Sequence, residues 1–484
     1  MSEETGLKTK VAKGLMWGGL NNAAQQLLNL IIGIFLARIL TPADYGMVGV
    51  LAVFSALAGA LQEGGFISAL NIRKNVSQLD YCSVFWFNII CGATLYTILF
   101  FCAPFIARFY DLPELTSLSR FIFLAFLFSS ANISARAYMF RNLMVKETAF
   151  IGILSLILSG LIGVSLALSG FAYWGLAWQT VSYTFFITLF SFYFSRFRPS
   201  FIFSAKAIKE MLGYSFKLII TNVFNILNNN VFAVLLGKFY SPGDVGDFNQ
   251  ANKWTSMGYT LITGMIGSVS QPALARVAED RERQTQVFRK LLRFTSFVSF
   301  PAMFGLALIA PDFIVITITE KWLFSAYILQ VLCIWGAFYP LAYLFSNLIL
   351  SQGRSNAYMW STIILSCIQI VAVCLCYPLG LFCMLFIFVG INIVWLVVWY
   401  LLARQKISLT LINGLKDVLP FLLLALASII PGYFISSFVA NLWLSLLIKI
   451  SVTAILYTGI LWILGARILK ESLMFLRRKT ICNT

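Results

Sequence analysis

The chain has 484 residues, of which 60% are hydrophobic, 16% aromatic and 11% charged, and its net charge is +17. A soluble domain of this composition would expose apolar surface nearly everywhere, so a soluble globular protein is excluded. Histidine is absent and most of the nine cysteines lie inside apolar runs, so we expect free thiols, no metal site and no cofactor.

Apolar windows of about 20 residues recur along the whole chain and predict an all-α integral membrane protein. Turn or charge clusters divide them into fourteen candidate transmembrane helices. In chain order these helices cover 15–37, 46–70, 82–107, 116–139, 148–169 and 171–195, then 214–237, 246–270, 294–319, 324–350, 357–377 and 379–402, and finally 418–437 and 442–465. The first window is too long for the apolar part of a signal peptide, so we expect the first helix to stay.

The basic residues indicate how these helices are oriented. With the N-terminus in the cytoplasm, 28 of the 35 Lys and Arg residues fall in cytoplasmic segments. An excess of this kind over short loops follows the positive-inside rule, so we expect both termini in the cytoplasm. The basic clusters, including 276–293, would then lie against anionic lipid headgroups, and no nucleic-acid partner is expected.

One turn occurs twice. The stretch 38–46 reads RILTPADYG, and 200 residues later 238–246 reads KFYSPGDVG. Proline ends the preceding helix, the aspartate can cap the next helix, and glycine relieves the backbone. Capping is therefore favoured over substrate contact for Asp44 and Asp244.

The match between the two turns extends backwards at the same offset. Over 22–46 against 222–246, seven of 25 positions are identical, which predicts two homologous six-helix bundles repeated in parallel. We expect a cavity between them. The predicted division of the chain is 1–195 for the N-lobe, 196–213 for a cytoplasmic linker, 214–402 for the C-lobe, and 403–484 for a C-terminal helix pair with a basic tail.

The first helix of each bundle carries amide side chains at steps of three and four residues, which places them on one face. Amides that face other helices can hold them together at about 0.6–2 kcal/mol per bond. So many amides on two related helices favour instead the walls of a wet cavity that binds sugar hydroxyls. The candidate cavity residues are Asn22, Gln25, Gln26 and Asn29 in the first helix, and Asn222, Asn225 and Asn229 in the seventh.

The LARILTPADYG turn (36–46) after a polar first helix, the six-plus-six layout and the short loops resemble the polysaccharide-transport branch of the multidrug/oligosaccharidyl-lipid/polysaccharide exporter superfamily. The resemblance is to its Wzx-type flippases, covers essentially the whole chain and is strongest over 8–75. It implies a monomer in the bacterial cytoplasmic membrane whose cavity opens alternately to the two sides. The implied substrate is an undecaprenyl-pyrophosphate-linked repeat unit of O-antigen, capsule or exopolysaccharide. In some relatives a C-terminal helix pair holds the lipid tail, although the pair here could equally serve packing.

A pyrophosphate calls for cations at depth in the membrane. Lys253 lies about seven residues into the eighth helix, roughly 10 Å along it, and both a pyrophosphate contact and snorkelling to the interface stay open. Lys217 is more readily explained by snorkelling, and Arg120 and Lys449 are weaker candidates. Glu63 is an intramembrane acid that pairs with a lysine or binds a coupling H⁺ or Na⁺.

Two alternatives belong to other classes. A membrane glycan polymerase or ligase usually carries its chemistry on a long outer loop, whereas the outer loops here span about 15 residues or fewer and lack an acid/base cluster. A drug/cation antiporter of the same superfamily would not need the amide-rich cavity or the extra helix pair. We therefore predict a transporter and not an enzyme.

Overall fold

The computed structural model describes residues 23–63, 70 and 76–464, and these residues are all-helical in their regular structure. The helices before the second copy of the turn are α1 (Ala23–Ile39), α2 (Pro42–Gly49), α3 (Ala52–Glu63), α4 (Gln78–Tyr110), α5 (Leu115–Ile122), α6 (Ala125–Arg141), α7 (Val145–Leu168), α8 (Trp174–Phe194) and α9 (Ala205–Phe239). The later helices are α10 (Pro242–Arg276), α11 (Arg281–Ile318), α12 (Leu323–Ser351), α13 (Ser355–Cys376), α14 (Leu381–Arg404), α15 (Leu411–Ser436) and α16 (Leu442–Ile463).

The helices agree with the class predicted from the apolar windows. Each of the fourteen predicted spans overlaps a helix, and ten helical stretches of the described residues are long and apolar enough to cross a membrane. The multi-pass all-α membrane fold is therefore confirmed, whereas the count of fourteen spans stays a prediction. The helix α10 is 35 residues long, but it is not one of these ten stretches.

The chain divides into two compact units, Met1–Gly246 and Asp247–Thr484. In the first unit, one apolar core joins α1 and α2 to α7 and α8 around Leu36 and Leu176. A second core joins α4 to α6 around Tyr81 and Ile133. The helix α9 packs against α3 and α4 in this unit.

The repeated turn forms the same capping box in both copies. In the first copy, the Thr41 hydroxyl accepts a hydrogen bond from the Asp44 amide at 3.3 Å, and the Asp44 carboxylate accepts from the Thr41 amide at 2.8 Å. In the second copy, Ser241 and Asp244 make the same two bonds at 3.2 and 3.0 Å. The hydroxyl residue is thus the N-cap and the aspartate is its partner three residues later, whereas we expected the aspartate itself to be the cap.

The two copies of the turn also cross each other. A Cβ atom added to Gly46 would overlap the carbonyl oxygen of Pro242, and one added to Gly246 would overlap the carbonyl oxygen of Pro42. The contact is therefore reciprocal, with each glycine lying against the proline that begins the other helix. Only a residue without a side chain allows backbones to approach so closely.

In each unit, a connecting segment is held by a hydroxyl group near the start of a long helix. In α4, the Ser83 hydroxyl accepts a hydrogen bond from the Ser204 amide, just before α9, at 2.8 Å. In α11, the Thr285 hydroxyl accepts a hydrogen bond from the Ser408 amide, just before α15, at 3.0 Å. Both hydroxyls donate to the carbonyl four residues earlier at 2.7 Å, so the two arrangements are equivalent.

The C-terminal helices α15 and α16 are held to α11 by ion pairs at two places, and in the first of them Arg293 also lies 3.6 Å from Asp417. Near the start of α11, Arg289 Nε lies 2.6 Å from the buried Asp417 carboxylate of α15. Near its end, the buried Asp312 accepts hydrogen bonds from Lys449 at 2.7 Å and from the Ser445 hydroxyl at 2.8 Å, both on α16. Removing one member of a buried pair leaves the other charge uncompensated, so these contacts fix where the helix pair packs.

The crossing predicts a strong dependence on its glycines. Gly46→Ala and Gly246→Ala should each cost about 1–3 kcal/mol, because a methyl group must displace the facing backbone. Thermal unfolding of the detergent-solubilised protein measures this loss. Gly243→Ala is the matched control, since it has room for a Cβ and introduces the residue that stands at 43 in the first turn. Equal stability of Gly46→Ala and Gly243→Ala would contradict the close contact.

Candidate functional site

The described amides of α1 fall into two groups. Gln26 and Asn29 are exposed. Gln25 is half-buried, and its amide nitrogen lies where a side chain at Gly152 of α7 would be. At least one amide of the predicted stripe therefore packs against a neighbouring helix, while the other two are open to solvent.

An exposed apolar stripe lies on the other side of α1. Leu27, Ile31 and Phe35 follow one another at steps of four and are 61%, 47% and 58% exposed. At 100° per residue this stripe lies opposite Gln26 and Asn29. In a membrane the apolar stripe would face lipid. The exposed amides of Gln26 and Asn29 would then lie on the side of α1 that faces away from lipid.

Several of the residues predicted from the sequence lie outside the described residues. Asn22 falls there entirely. For Glu63, Lys217, Asn222, Asn225 and Asn229 the structure describes the helical backbone, in α3 or α9, but not the side chains.

The helix α10 carries a polar stripe that the sequence analysis did not find. Successive members of the stripe are separated by four, three, four, four, three and four residues. They therefore all lie on one face of the helix, over about 33 Å of its length. Every member is exposed or half-buried. The members are Asn249, Lys253, Ser256, Thr260, Gly264, Gly267 and Gln271.

A second exposed stripe on α10 has the opposite character. Leu261, Met265 and Val269 are 67%, 64% and 55% exposed, and they lie about 140° around the helix from the polar stripe. One helix thus presents a surface for lipid and, beside it, a surface for water. The polar stripe lowers the hydropathy of α10, which explains why this helix is absent from the ten apolar spans.

Lys253 is the cation on the polar stripe. It is half-buried, and none of the ion pairs between described residues includes it. Its ammonium group also makes no hydrogen bond to a described residue. A half-buried cation that pairs with no described residue is a candidate for binding an anion.

Two of the other candidate cations, Lys449 and Arg120, already have partners in the protein. Lys449 forms its ion pair with Asp312, which favours a role in helix packing over a contact with pyrophosphate. Arg120 donates a hydrogen bond to the Phe100 carbonyl at 3.3 Å, and its guanidinium lies 4.2 Å above the Phe100 ring. Both are held by packing contacts, which sequence spacing could not reveal.

The described residues contain no group of three or more Cys, Asp or Glu side chains that could hold a metal ion. In the described part of the chain, the polar groups of the candidate site are therefore amides, hydroxyls and the ammonium group of Lys253. Such groups bind and orient polar molecules through hydrogen bonds and charge. The fold and the polar stripe together define a multi-pass helical membrane protein that carries a polar face along one long helix.

Comparison with known proteins gives the family. The model of the polysaccharide biosynthesis protein family matches residues 35–327, more than half of the chain. The chain belongs to this family, which confirms the resemblance seen in the repeated turn.

Curated relatives extend the comparison. Lipopolysaccharide biosynthesis protein WzxC of Escherichia coli is 27% identical over 362 residues, covering 72% of this chain and 71% of that protein. Succinoglycan biosynthesis transport protein ExoT of Rhizobium meliloti is 25% identical over 325 residues, covering 67% and 66%. Among solved structures, a lipid II flippase MurJ in an inward closed conformation superposes with a TM-score of 0.74 over 93% of this chain and 99% of that one. The identity to it is 17%, so the likeness shows the shared fold.

The two stripes of α10 predict opposite reactivity for neighbouring positions. Thr260→Cys should react with a charged, water-soluble thiol reagent in a cysteine-free background, because position 260 lies on the polar stripe. Leu261→Cys is the control, since residue 261 is equally exposed in the structure but belongs to the apolar stripe. Labelling is measured in intact membranes. Equal reactivity at the two positions would show that the polar stripe does not face water.

Proposed function

We propose that the protein is a flippase that moves an undecaprenyl-pyrophosphate-linked oligosaccharide across the bacterial cytoplasmic membrane by alternating access. The observation that carries the proposal is the polar stripe of α10 with Lys253, which pairs with no residue that the structure describes. Membership of the polysaccharide biosynthesis family and likeness to a protein named as a transport protein of succinoglycan biosynthesis support a glycan substrate. They also favour this function over a drug antiporter and over a glycan polymerase or ligase.

The physical task is to carry a large polar headgroup past hydrocarbon. Each polar group without a partner costs several kcal/mol there, so sugars and a pyrophosphate do not cross unassisted. A water-filled cavity lined by hydroxyls and amides removes most of this cost while the polyprenyl tail stays in lipid. The stripe of α10 is long enough, at about 33 Å, to line such a path across the hydrocarbon core.

Lys253 would bind the pyrophosphate. Its free ammonium group supports this assignment over snorkelling, because it is half-buried within a helix whose neighbouring stripe positions are polar. We also propose that the exposed Gln26 and Asn29, with Asn22, Asn222, Asn225 and Asn229, contact the sugars, and that Gln25 contributes mainly to packing. Lys217 is kept as a second, weaker cation.

We further propose that the chain consists of two homologous six-helix bundles. The shared capping boxes, the reciprocal glycine crossing and the equivalent hydroxyl contacts of Ser83 and Thr285 support an internal repeat. An experimental structure in which 14–195 and 213–402 do not superpose with Pro42 on Pro242 would overturn it.

The orientation and the energy source are part of the same proposal. The excess of 28 basic residues over seven supports both termini in the cytoplasm. Glu63, at the end of α3, is proposed to bind the coupling H⁺ or Na⁺, and the transporter is proposed to act as a monomer. Transport into vesicles under an imposed proton or sodium gradient, with Glu63→Gln as the variant, tests the coupling.

The C-terminal helix α15 leaves an apolar cavity of about 240 Å³ beside α12 and α14. Its lining includes Phe345, Tyr400 and Gly414, and nearly all of its surface is apolar. We propose that this cavity takes part of the polyprenyl tail, because tight packing alone would have filled it.

Filling the cavity tests this assignment. Gly414→Leu should slow transport several-fold, because a Cβ at Gly414 meets no atom within 4 Å and the longer side chain would occupy the tail's space. Gly459→Leu on α16 is the control, since its surroundings are equally open and it does not line the cavity. Transport of the lipid-linked glycan is measured at matched protein levels. Unchanged transport by Gly414→Leu would contradict the assignment of this cavity to the polyprenyl tail and would leave α15 with a role in packing only.

The central prediction concerns Lys253. Lys253→Ala should abolish export of the lipid-linked glycan while the protein remains folded and inserted, because the pyrophosphate loses its cation. Lys253→Arg should keep part of the activity, since the charge persists with a different geometry. Lys238→Ala is the control, because Lys238 pairs with the exposed Asp111 and such surface pairs contribute little. Near-normal export by Lys253→Ala would remove this residue from the site.

A further inference from the structure

Three tyrosines of the second unit gather beside the polar stripe of α10. The rings of Tyr259, on α10, and Tyr339, on α12, lie with centroids 4.2 Å apart, and Trp335 meets Tyr339 edge-on at 5.9 Å. One α-helical turn further along α12, the Tyr343 hydroxyl lies 2.6 Å from where a Cβ of Gly267 would be. Gly267 is itself a member of the polar stripe, so Tyr343 reaches the stripe across the gap that this glycine leaves.

The hydroxyl groups of these three tyrosines form no hydrogen bond within the described residues. Each hydroxyl oxygen also keeps some exposed surface. Other tyrosines of the same unit behave differently. Tyr400 donates to the Leu409 carbonyl at 3.2 Å, and Tyr457 donates to the Phe297 carbonyl at 2.9 Å.

The order of groups along α10 is informative. Tyr259 follows Lys253 by six residues, or about 9 Å, and Gly267 lies about 12 Å beyond Tyr259. The ammonium group of Lys253 is therefore followed in this direction by the hydroxyl groups of Tyr259 on α10 and Tyr339 on α12, and then by that of Tyr343 on α12. A molecule with a negative group at one end and hydroxyl-bearing rings behind it matches this order.

We propose that Tyr259, Tyr339 and Tyr343 form a subsite for the sugar rings of the transported glycan, an inference that rests on the proposed flippase function. Sugar rings have apolar C–H surfaces with hydroxyls at their edges. A tyrosine offers a rigid apolar ring and one polar end, so it contacts both at a low entropic cost. Its hydroxyl both donates and accepts, which suits sugar hydroxyls of either orientation.

Removing the hydroxyls while keeping the rings tests the subsite. The combined variant Tyr339→Phe, Tyr343→Phe preserves the packing of α12 on α10 and removes only two oxygen atoms. Binding is followed by tryptophan fluorescence of the purified protein with two probes, undecaprenyl pyrophosphate without sugar and the lipid-linked oligosaccharide extracted from the cell's own membranes. The double variant should bind the sugar-bearing lipid about 25-fold more weakly, about fivefold per hydroxyl, and bind undecaprenyl pyrophosphate as the native protein does.

Two further variants separate the outcomes. Tyr457→Phe loses a hydrogen bond that only holds α16, so it should leave the affinity for both probes unchanged. Lys253→Ala should weaken both probes. Unchanged affinity of the tyrosine variant for the sugar-bearing lipid would overturn the subsite while the flippase function stands. Failure of the native protein to bind either probe would overturn the proposed function itself.

Discussion

The structure depends on one property of its solvent, which is that hydrocarbon neither donates nor accepts hydrogen bonds. A polar side chain in the membrane therefore needs a partner in the protein or access to water. Most serines and threonines of the described helices meet this need by donating to a carbonyl of their own helix, as Thr295 does at 2.8 Å. Asp312 and Lys449 meet it by pairing with each other. Lys253 has no such partner among the described residues, and in the proposed site a ligand or water fills that role.

The repeated turn shows how far a short motif can be interpreted. Proline, a hydroxyl and an aspartate at fixed spacing predicted a capped helix start, and the capping boxes of Thr41 and Ser241 confirm it. The glycine of each copy has a different purpose, because it lies against the proline of the other copy. Nothing within a nine-residue window indicates that contact. It depends on how α2 and α10 approach each other, and therefore on the fold.

The same distinction, between what local spacing indicates and what depends on the fold, separates the predicted from the unpredicted parts of the site. Apolar windows located the helices because burial in lipid imposes a length and a composition. The averaging that finds such windows hides a polar stripe, since it treats Ser256 and Thr260 as interruptions of an apolar helix. Their spacing of three and four residues was present in the sequence and could have revealed the stripe. Lys449 and Lys253 look alike in sequence, and what distinguishes them is Asp312, which lies 137 residues before Lys449.

The proposed site must also release what it binds. A transporter that gripped its substrate with several buried charges would hold it in one place, since binding has to be favourable enough for entry and weak enough for exit. One free ammonium group followed by uncharged hydroxyls and amides meets both conditions. In the proposed site, the cation would select a lipid-linked pyrophosphate over a neutral lipid, and the uncharged groups would replace the hydrogen bonds between water and the sugars. Because water can take over each of those bonds in turn, the headgroup can move along the stripe of α10 without crossing a large barrier.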